Sequence, residues 1–296
     1  MASPQFQEVL ATLRKGRTPE HRIFELQLMR SWMATGSAPP DARLIPARAG
    51  GVPAEWVCAP QADGGRRLLY LHGGGYVAGC AAWRRPLAAG LSRVSGCAVL
   101  LADYRLAPEH PCPAAVEDAA AAFRWMLENG PDGRGRAART FIAGDSAGGG
   151  LTLAALQALR DAGGPLPDAA VAISAYADLA HTGESVRSQA AADPVMCTEW
   201  LPHFAGAYLG GQDARTPAAS PLYGDFSGLP PLLLHVGEAE IIRDDTVRCA
   251  EKARKQGVRV ELEVWPEMIH VWHDHAGKFP EAGQALERIG SFLRDF

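Results

Sequence analysis

The chain has 296 residues, of which 47% are hydrophobic and 21% are charged. This length and balance predict an ordinary globular protein with one large core and additional residues for an insertion. The formal net charge of −4 offers no basic surface to a phosphate backbone, so we expect no nucleic-acid partner.

The hydropathy of the first residues does not follow the pattern of an export signal, and we expect none. No unbroken apolar segment of the secretory type occurs in the first residues, MASPQFQEVLATLRKGRTPE, and no later stretch approaches the length of a membrane span. We therefore expect a cytoplasmic protein that does not bind membranes.

The cysteines and histidines form no pattern typical of disulfide frameworks or metal sites. The six cysteines include no CxxC pair, and we expect reduced, mostly buried thiols because a chain of this size needs no disulfide bonds. His270, His273 and His275 are close together but lack a clear carboxylate or cysteine partner at zinc-type spacing. We expect neither a metal nor a cofactor.

Two helical patterns open the chain. The first is predicted by the spacing of Phe6, Val9, Leu10 and Leu13 and ends at Gly16. The second is predicted to begin with the cap Thr18-Pro19 and to end at Gly36. We expect residues 1–42 to form a helical arm that is part of a cap.

Short apolar runs begin at about Arg43 and alternate with helical patterns. The strand candidates are Leu68–Leu71, Ala98–Asp103, Thr140–Ala143, Ala169–Ala175, Leu232–Val236 and Val258–Trp265. One helical pattern is formed by Val116, Ala120, Phe123 and Leu127 and closes at Gly130. This alternation predicts an α/β fold, with a mostly parallel sheet flanked by helices and ligands bound at the carboxyl ends of its strands.

The interval 176–230 interrupts the alternation and contains its own helical signal at Leu201, Phe204, Ala205 and Tyr208. It is too long for a connecting loop. We expect a cap insertion over the active-site end of the sheet, and a core formed by residues 43–175 and 231–296.

The sequence Gly144-Asp145-Ser146-Ala147-Gly148 follows an apolar strand and precedes a helical pattern. A sharp turn between strand and helix is typical of a nucleophilic serine, because it holds the hydroxyl out of the sheet. Ser146 is therefore the predicted nucleophile. Asp145 is adjacent to it but should point in a different direction, so we expect a structural hydrogen-bond partner.

A glycine-rich loop, His72-Gly73-Gly74-Gly75, also follows an apolar strand directly. Unshielded backbone N–H groups can stabilise the negative oxygen that develops during acyl transfer. We expect an oxyanion hole formed by Gly73, Gly74 and Gly75 together with the N–H of Ala147.

These motifs, with DYRLAPEHP at 103–111, SPL at 220–222 and GLPP at 228–231, occur in the order found in one known family. The chain resembles the hormone-sensitive-lipase family of α/β-hydrolase esterases, in the bacterial branch with the GDSAGG serine motif, over roughly residues 65–295. The resemblance implies an α/β-hydrolase fold with a helical cap, a serine carboxylesterase activity and a small-molecule ester as substrate. It leaves both a monomer and a homodimer open.

In this fold the acid and then the histidine follow the serine along the chain. His270 comes just after the last strand and resembles the family's catalytic histidine, whereas His273 and His275 would lie past the strand end. Glu240 occupies the position where the family usually has an aspartate followed by proline and leucine. A carboxylate of either length can orient the histidine. Glu238 and Asp244 remain alternatives for the acid.

The predicted reaction is two-step acyl transfer by a triad of Ser146, His270 and Glu240, with an acyl-enzyme intermediate. A cap that carries Trp200, Phe204 and Tyr208 would favour short to medium acyl esters. Two alternatives are an amidase with the same triad and a non-catalytic binding protein on this fold. The plant gibberellin receptor is an example of the latter that lacks the catalytic histidine, which is present here.

Overall fold

A computed structural model describes residues 2–16, 18 and 22–296. Its strands are β1 (Arg43–Ala49), β2 (Val52–Cys58), β3 (Asp63–Leu71), β4 (Cys97–Ala102), β5 (Asn129–Gly130), β6 (Gly133–Arg134), β7 (Arg139–Asp145), β8 (Ala169–Ile173), β9 (Leu232–Gly237) and β10 (Val260–Trp265). Within the described residues, the main sheet has the order β1-β2-β4-β3-β7-β8-β9-β10, and β5 pairs with β6 separately. In this main sheet the neighbouring strands β4, β3, β7, β8, β9 and β10 are parallel. The pairings of β2 with β1 and with β4 are antiparallel.

Helices cover both faces of this sheet, as the alternating pattern predicts. They are α1 (Pro4–Gly16), α2 (Leu26–Trp32), α3 (Ala81–Ser95), α4 (Ala114–Glu128), α5 (Ala147–Asp161), α6 (Ser185–Ser188), α7 (Leu201–Leu209), α8 (Arg243–Lys255) and α9 (Pro280–Arg294), with 3₁₀ turns at Pro221–Tyr223 and Trp272–His275. No helix in the described part of the chain is both long and apolar enough to cross a membrane.

Alternate residues of the central strands belong to two different hydrophobic cores. Leu69 and Leu71 of β3 pack in the core that includes residues of α4, α5 and α8. Leu68 and Tyr70 of the same strand pack in the core that includes residues of α3 and α9. Successive side chains of a strand point to opposite faces, so a strand covered on both sides must be apolar throughout. This explains why these strands occur as continuous apolar runs.

The parallel strands deliver their following loops to one edge of the sheet. The glycine loop 72–75 follows β3, Ser146 follows β7, and Ser174 follows β8. Glu240 and His270 come shortly after β9 and β10. Because carboxyl ends of parallel strands share an edge, all five segments meet there.

The second helix differs from its prediction. It begins at Leu26, not at Thr18-Pro19, and Pro19 lies outside the described residues. Phe24 precedes the helix and stacks on His203, with ring centroids 4.9 Å apart. The helix ends at Trp32, well before Gly36, where a Cβ would lie 2.4 Å from the backbone oxygen of Ala82. Tertiary packing therefore overrides local helical preference at both ends.

Two further predictions about helices have mixed outcomes. The signal inside the insertion is confirmed, since it coincides with α7. Gly130 does follow α4, but it enters the short ribbon of β5 and β6 instead of a left-handed cap. A Cβ at Gly130 would lie 2.8 Å from an Nη atom of Arg67, so close packing accounts for this glycine.

The start of α5 packs against the carboxyl end of β3, and this contact yields a stability prediction. A Cβ at Gly148 would lie 2.0 Å from the backbone oxygen of Leu71. Gly148→Ala should destabilise the fold by about 1–3 kcal/mol or more, because the backbone must move to make room. Denaturant unfolding monitored by circular dichroism measures this loss.

Gly206→Ala in α7 is the matched control, since the same substitution there meets no atom within 4 Å. We expect it to be neutral or to stabilise the protein by up to about 1 kcal/mol through helix propensity. Equal unfolding midpoints for the two variants would contradict the proposed packing constraint.

Candidate active site

Ser146 occupies a strained turn between β7 and α5. Its backbone angles are φ 54° and ψ −120°, a region that non-glycine residues rarely adopt. Its N–H donates to the oxygen of Ile173 at 2.8 Å, and its own oxygen accepts from the N–H groups of Gly150 and Tyr176 at 3.0 and 2.9 Å. These bonds to two neighbouring segments hold the strained conformation.

His270 lies between the Ser146 hydroxyl and the Glu240 carboxylate. Its Nε2 is 2.9 Å from Ser146 Oγ, and its Nδ1 is 2.9 Å from Glu240 Oε2. A carboxylate can only accept, so Nδ1 carries the proton and Nε2 is free to accept one from the hydroxyl. The three side chains thus form a continuous hydrogen-bonded chain.

The Glu240 carboxylate is buried and has further donors besides the imidazole. Its Oε1 accepts hydrogen bonds from the N–H of Gly237 at 2.5 Å and from Ser174 Oγ at 2.7 Å. Ser174 Oγ also accepts from the N–H of Val271 at 3.2 Å. Ser174 therefore connects the acid to the backbone that follows His270.

Burial and pairing have opposite effects on the histidine of this chain. Burial lowers the pKa of His270, but the hydrogen bond and charge of Glu240, helped by Asp193 and Asp145, outweigh burial and raise the pKa above its ordinary value. Burial raises the pKa of Glu240, and the contact with His270 opposes that rise. The pair stabilises a positive charge on the imidazole.

The other carboxylates considered for the acid, Asp244, Glu238 and Asp145, bind other groups. Asp244 Oδ2 accepts from the N–H of Ser185 at 2.9 Å, which ties α8 to α6. Glu238 Oε2 accepts from the N–H of Glu267 at 3.0 Å at the surface. Asp145 accepts a hydrogen bond from Tyr70 at 2.7 Å and pairs with Arg84. None of these contacts involves His270.

The other two candidate histidines, His273 and His275, also contact residues outside the triad. His273 is buried, with its Nε2 3.1 Å from Nδ1 of His235, and His275 packs against Phe279 with ring centroids 5.7 Å apart. Burial lowers the pKa of both. Among the residues that the structure describes, no three His, Cys, Asp or Glu side chains are grouped to hold a metal ion.

The glycine loop approaches Ser146 closely. Gly74 and Gly75 line the same cavity as Ser146 and His270. A Cβ at Gly73 would lie 3.1 Å from the Cβ of Ser146, although Gly73 does not itself line the cavity. The N–H of Ala147 belongs to the first turn of α5, where the helix dipole favours negative charge.

The cavity over Ser146 is small and mainly apolar, with a volume of about 130 Å³. Trp200 and Phe204 line it, as expected, together with Met29 and Met33 at α2. Tyr208 does not line it, contrary to the prediction, because its ring stacks on Tyr76 with centroids 3.9 Å apart. The walls therefore come from the N-terminal segment and the interval 176–230, together with Trp83 and Arg84 of α3.

Sequence reasoning missed two side chains that contact this machinery. Ser174 could have been found, since it directly follows β8 at the edge where the other groups meet. Asp193 lies within the insertion, and its backbone partners are 195, 196 and 241. No local motif identifies a residue whose role depends on a contact so distant in sequence.

The chain is similar to known proteins over almost its whole length. Residues 68–274 match a family model described as alpha/beta hydrolase fold. An acetyl-hydrolase of Streptomyces hygroscopicus is 45% identical over 99% of this chain and 97% of its own length. An esterase of Acinetobacter venetianus is 33% identical over 86% and 82%.

Solved structures of similar sequence also have a similar fold. An esterase/lipase from an uncultured bacterium has a TM-score of 0.92 and 43% identity, with 99% of each chain covered. An esterase from the bacterial hormone-sensitive lipase family has a TM-score of 0.90 and 42% identity, covering 100% of this chain and 99% of its own. Both matches include the N-terminal arm, which the sequence motifs did not reach. The chain therefore belongs to the α/β-hydrolase fold family, among the esterases of the bacterial hormone-sensitive lipase group.

Proposed function

We propose that this esterase hydrolyses short to medium acyl esters through a triad of Ser146, His270 and Glu240. The observation that carries the proposal is the continuous chain of two 2.9 Å contacts from the hydroxyl through the imidazole to the carboxylate. Nucleophile, base and orienting acid in hydrogen-bond reach are what acyl transfer requires.

In the proposed first step, His270 Nε2 takes the proton of Ser146 as Oγ attacks the ester carbonyl. The imidazolium is stabilised by Glu240, and it then protonates the departing alcohol. In the second step a water loses its proton to the same nitrogen and attacks the acyl-enzyme, which releases the acid and restores Ser146.

The carbonyl oxygen becomes negative in both tetrahedral intermediates. We assign its stabilisation to the backbone N–H groups of the loop 73–75 and of Ala147. Support comes from the position of Gly74 and Gly75 in the cavity wall beside Ser146. Backbone donors in a water-poor site stabilise such an oxyanion without reorganising, which contributes several kcal/mol.

The size and lining of the cavity support a small acyl group. Its volume of about 130 Å³ is well below the roughly 300 Å³ or more that drug-sized ligands occupy. One solved relative, EstE5, was soaked with p-nitrophenyl butyrate. A butyryl ester is therefore a suitable reference substrate for this chain.

We further propose that α2 and the insertion 176–230 act as the cap, and that residues 43–175 and 231–296 are the catalytic core. Met29 and Met33 from the arm and Trp200 and Phe204 from the insertion line the cavity in support of this division. By contrast α1 packs on α9, where Phe6 meets Phe279 with ring centroids 5.2 Å apart.

A series of p-nitrophenyl esters of increasing acyl length, with butyryl p-nitroanilide alongside, tests the function directly. We expect kcat/KM to be highest for the short esters and to fall for long chains, because the cavity is small, and the anilide to react much more slowly. Ser146→Ala should lose about 10⁶-fold in kcat, as removal of a serine nucleophile does elsewhere.

Ser227→Ala, at an exposed serine on another loop, is the matched control and should retain full activity. Undiminished turnover by folded Ser146→Ala would refute the proposed nucleophile. Faster turnover of the anilide than of the matched ester would indicate an amidase.

The choice of acid is tested by Glu240→Gln and Asp244→Asn. Glutamine keeps the size of the side chain but loses the charge that stabilises the imidazolium, so kcat should fall by up to about 10⁴-fold. Asp244→Asn should mainly lower the thermal midpoint, because Asp244 links α8 to Ser185. Comparison of kcat and melting temperature for both variants decides the question, and the reverse pattern would show that Asp244 is the acid.

The pH dependence of kcat/KM tests the base. Only neutral His270 can accept a proton, and its raised pKa keeps it protonated to a higher pH than an ordinary histidine. We therefore expect activity to rise with pH through a midpoint above about 6.5, the ordinary histidine value. Burial lowers the pKa of His72 to about 4, so that residue stays neutral over this range. A profile that is flat from pH 5 to pH 9, with chemistry rate-limiting, would exclude a histidine base.

A further inference from the structure

Asp193 is a fully buried carboxylate in the insertion, in the stretch between α6 and α7. Its Oδ1 accepts hydrogen bonds from the N–H groups of Val195 and Met196, both at 2.9 Å. Its Oδ2 accepts from the N–H of Ile241 at 3.0 Å. Val195 and Met196 line the catalytic cavity, and Ile241 directly follows Glu240.

We propose that Asp193 is a positioning residue that fixes two elements relative to His270. One is the acid loop, the segment after β9 that contains Glu240 and Ile241, and the other is one wall of the substrate cavity. The inference rests on the proposed function, because it takes Glu240 and His270 as acid and base. If Asp193 only stabilised a local turn of the insertion, its bonds to the N–H groups of Val195 and Met196 would be enough. The third bond crosses to the loop after β9, so a single carboxylate connects the wall that meets the acyl group with the residue beside the acid.

The charge of Asp193 adds an electrostatic contribution. Three carboxylates raise the pKa of His270 against the effect of burial: Glu240 from the acid loop, Asp193 from the insertion and Asp145 from the serine turn. Of the other charged groups in the cavity wall, Arg84 pairs with both Asp145 and Asp274. Asp193 thus favours the imidazolium that forms when Ser146 attacks.

The protonation state of Asp193 follows from the same contacts. Burial raises the pKa of Asp193, while His270 and the N–H donors of 195, 196 and 241 oppose the rise. Donors directed at both oxygens favour the ionised form, since a protonated oxygen would have to give up its N–H partner. The carboxylate is therefore suited to act on the histidine as a charge as well as a backbone anchor.

The experiment compares Asp193→Asn with Asp245→Asn in the full chain, with p-nitrophenyl butyrate as substrate. Asp245 is a matched control: it is buried and accepts from the N–H groups of Ala177 and Asp178, both at 3.0 Å. It anchors the insertion to α8, and it is not among the carboxylates that raise the pKa of His270 most, which are Glu240, Asp193 and Asp145. Asp193→Asn should lower the thermal midpoint, because both carboxylate oxygens accept hydrogen bonds and asparagine keeps only one acceptor. In Asp245 one oxygen accepts both bonds, so asparagine can keep them and the thermal midpoint should change less.

We expect Asp193→Asn alone to lower kcat/KM by about 10- to 100-fold, as small misplacements of catalytic groups do. Its pH profile should also move to a lower midpoint, because the imidazolium loses one stabilising charge. Asp193→Glu keeps the charge and should retain a midpoint nearer that of the wild type. Asp193→Ser is a second charge-free variant that replaces Asn if Asn does not fold.

A wild-type midpoint in either folded charge-free variant would overturn the inference, as would an equal shift in Asp245→Asn. Ser146→Ala separates this failure from that of the proposed function. If Ser146→Ala is inactive while Asp193→Asn behaves like the wild type, the triad stands and only the role of Asp193 is wrong. If Ser146→Ala is active, the proposed function itself fails.

Discussion

The buried contact between Glu240 and His270 is the interaction on which the rest of the active site depends. Taking an ionised carboxylate out of water is costly unless its oxygens find partners. Here Gly237 and Ser174 supply donors to one oxygen and His270 occupies the other. The histidine is thereby fixed in orientation and tautomer, and its second nitrogen is left facing Ser146. Loss of one partner would leave a buried charge without compensation.

The sheet makes this contact possible. β9 and β10 are adjacent and parallel, with Gly237 opposite Trp265 at their carboxyl ends. The acid loop and the histidine loop therefore leave the sheet side by side. β7 and β8 bring Ser146 and Ser174 to the same edge. A parallel sheet covered on both faces is rigid, so groups from separate strands keep the short distances that proton transfer requires.

Chemistry and selectivity reside in different parts of the molecule under the proposed assignment. The reacting groups follow the core strands, whereas most of the apolar side chains that line the acyl cavity come from α2 and the insertion, with Trp83 and Arg84 of α3 beside them. Such a division lets the lining vary while the triad stays intact, which is a common property of enzymes built on shared folds. The contacts of Asp193 cross this division, because one carboxylate binds both the lining backbone and the acid loop.

Much of the fold could be predicted from local patterns. The buried strands are recognisable as apolar runs because both of their faces are covered. The serine turn and the glycine loop are recognisable because their backbone requirements restrict which residues can occupy them. The sequence by itself thus determined the fold class, the positions of Ser146 and of the glycine loop 72–75, and a short list of candidate acids and bases.

Only the tertiary structure decided which members of that list meet. Glu240 in the loop after β9 and Asp244 at the start of α8 are four residues apart, yet one faces His270 and the other faces Ser185. Phe24 falls inside the predicted second helix but precedes α2 and stacks on His203, and Tyr208 stacks on Tyr76 instead of lining the cavity. Asp193 carries no local signal, and the place of Ser174 after β8 does not show that it binds Glu240. Each of these outcomes depends on contacts between residues far apart in sequence, and such contacts exist only once the sheet has brought the strand ends together.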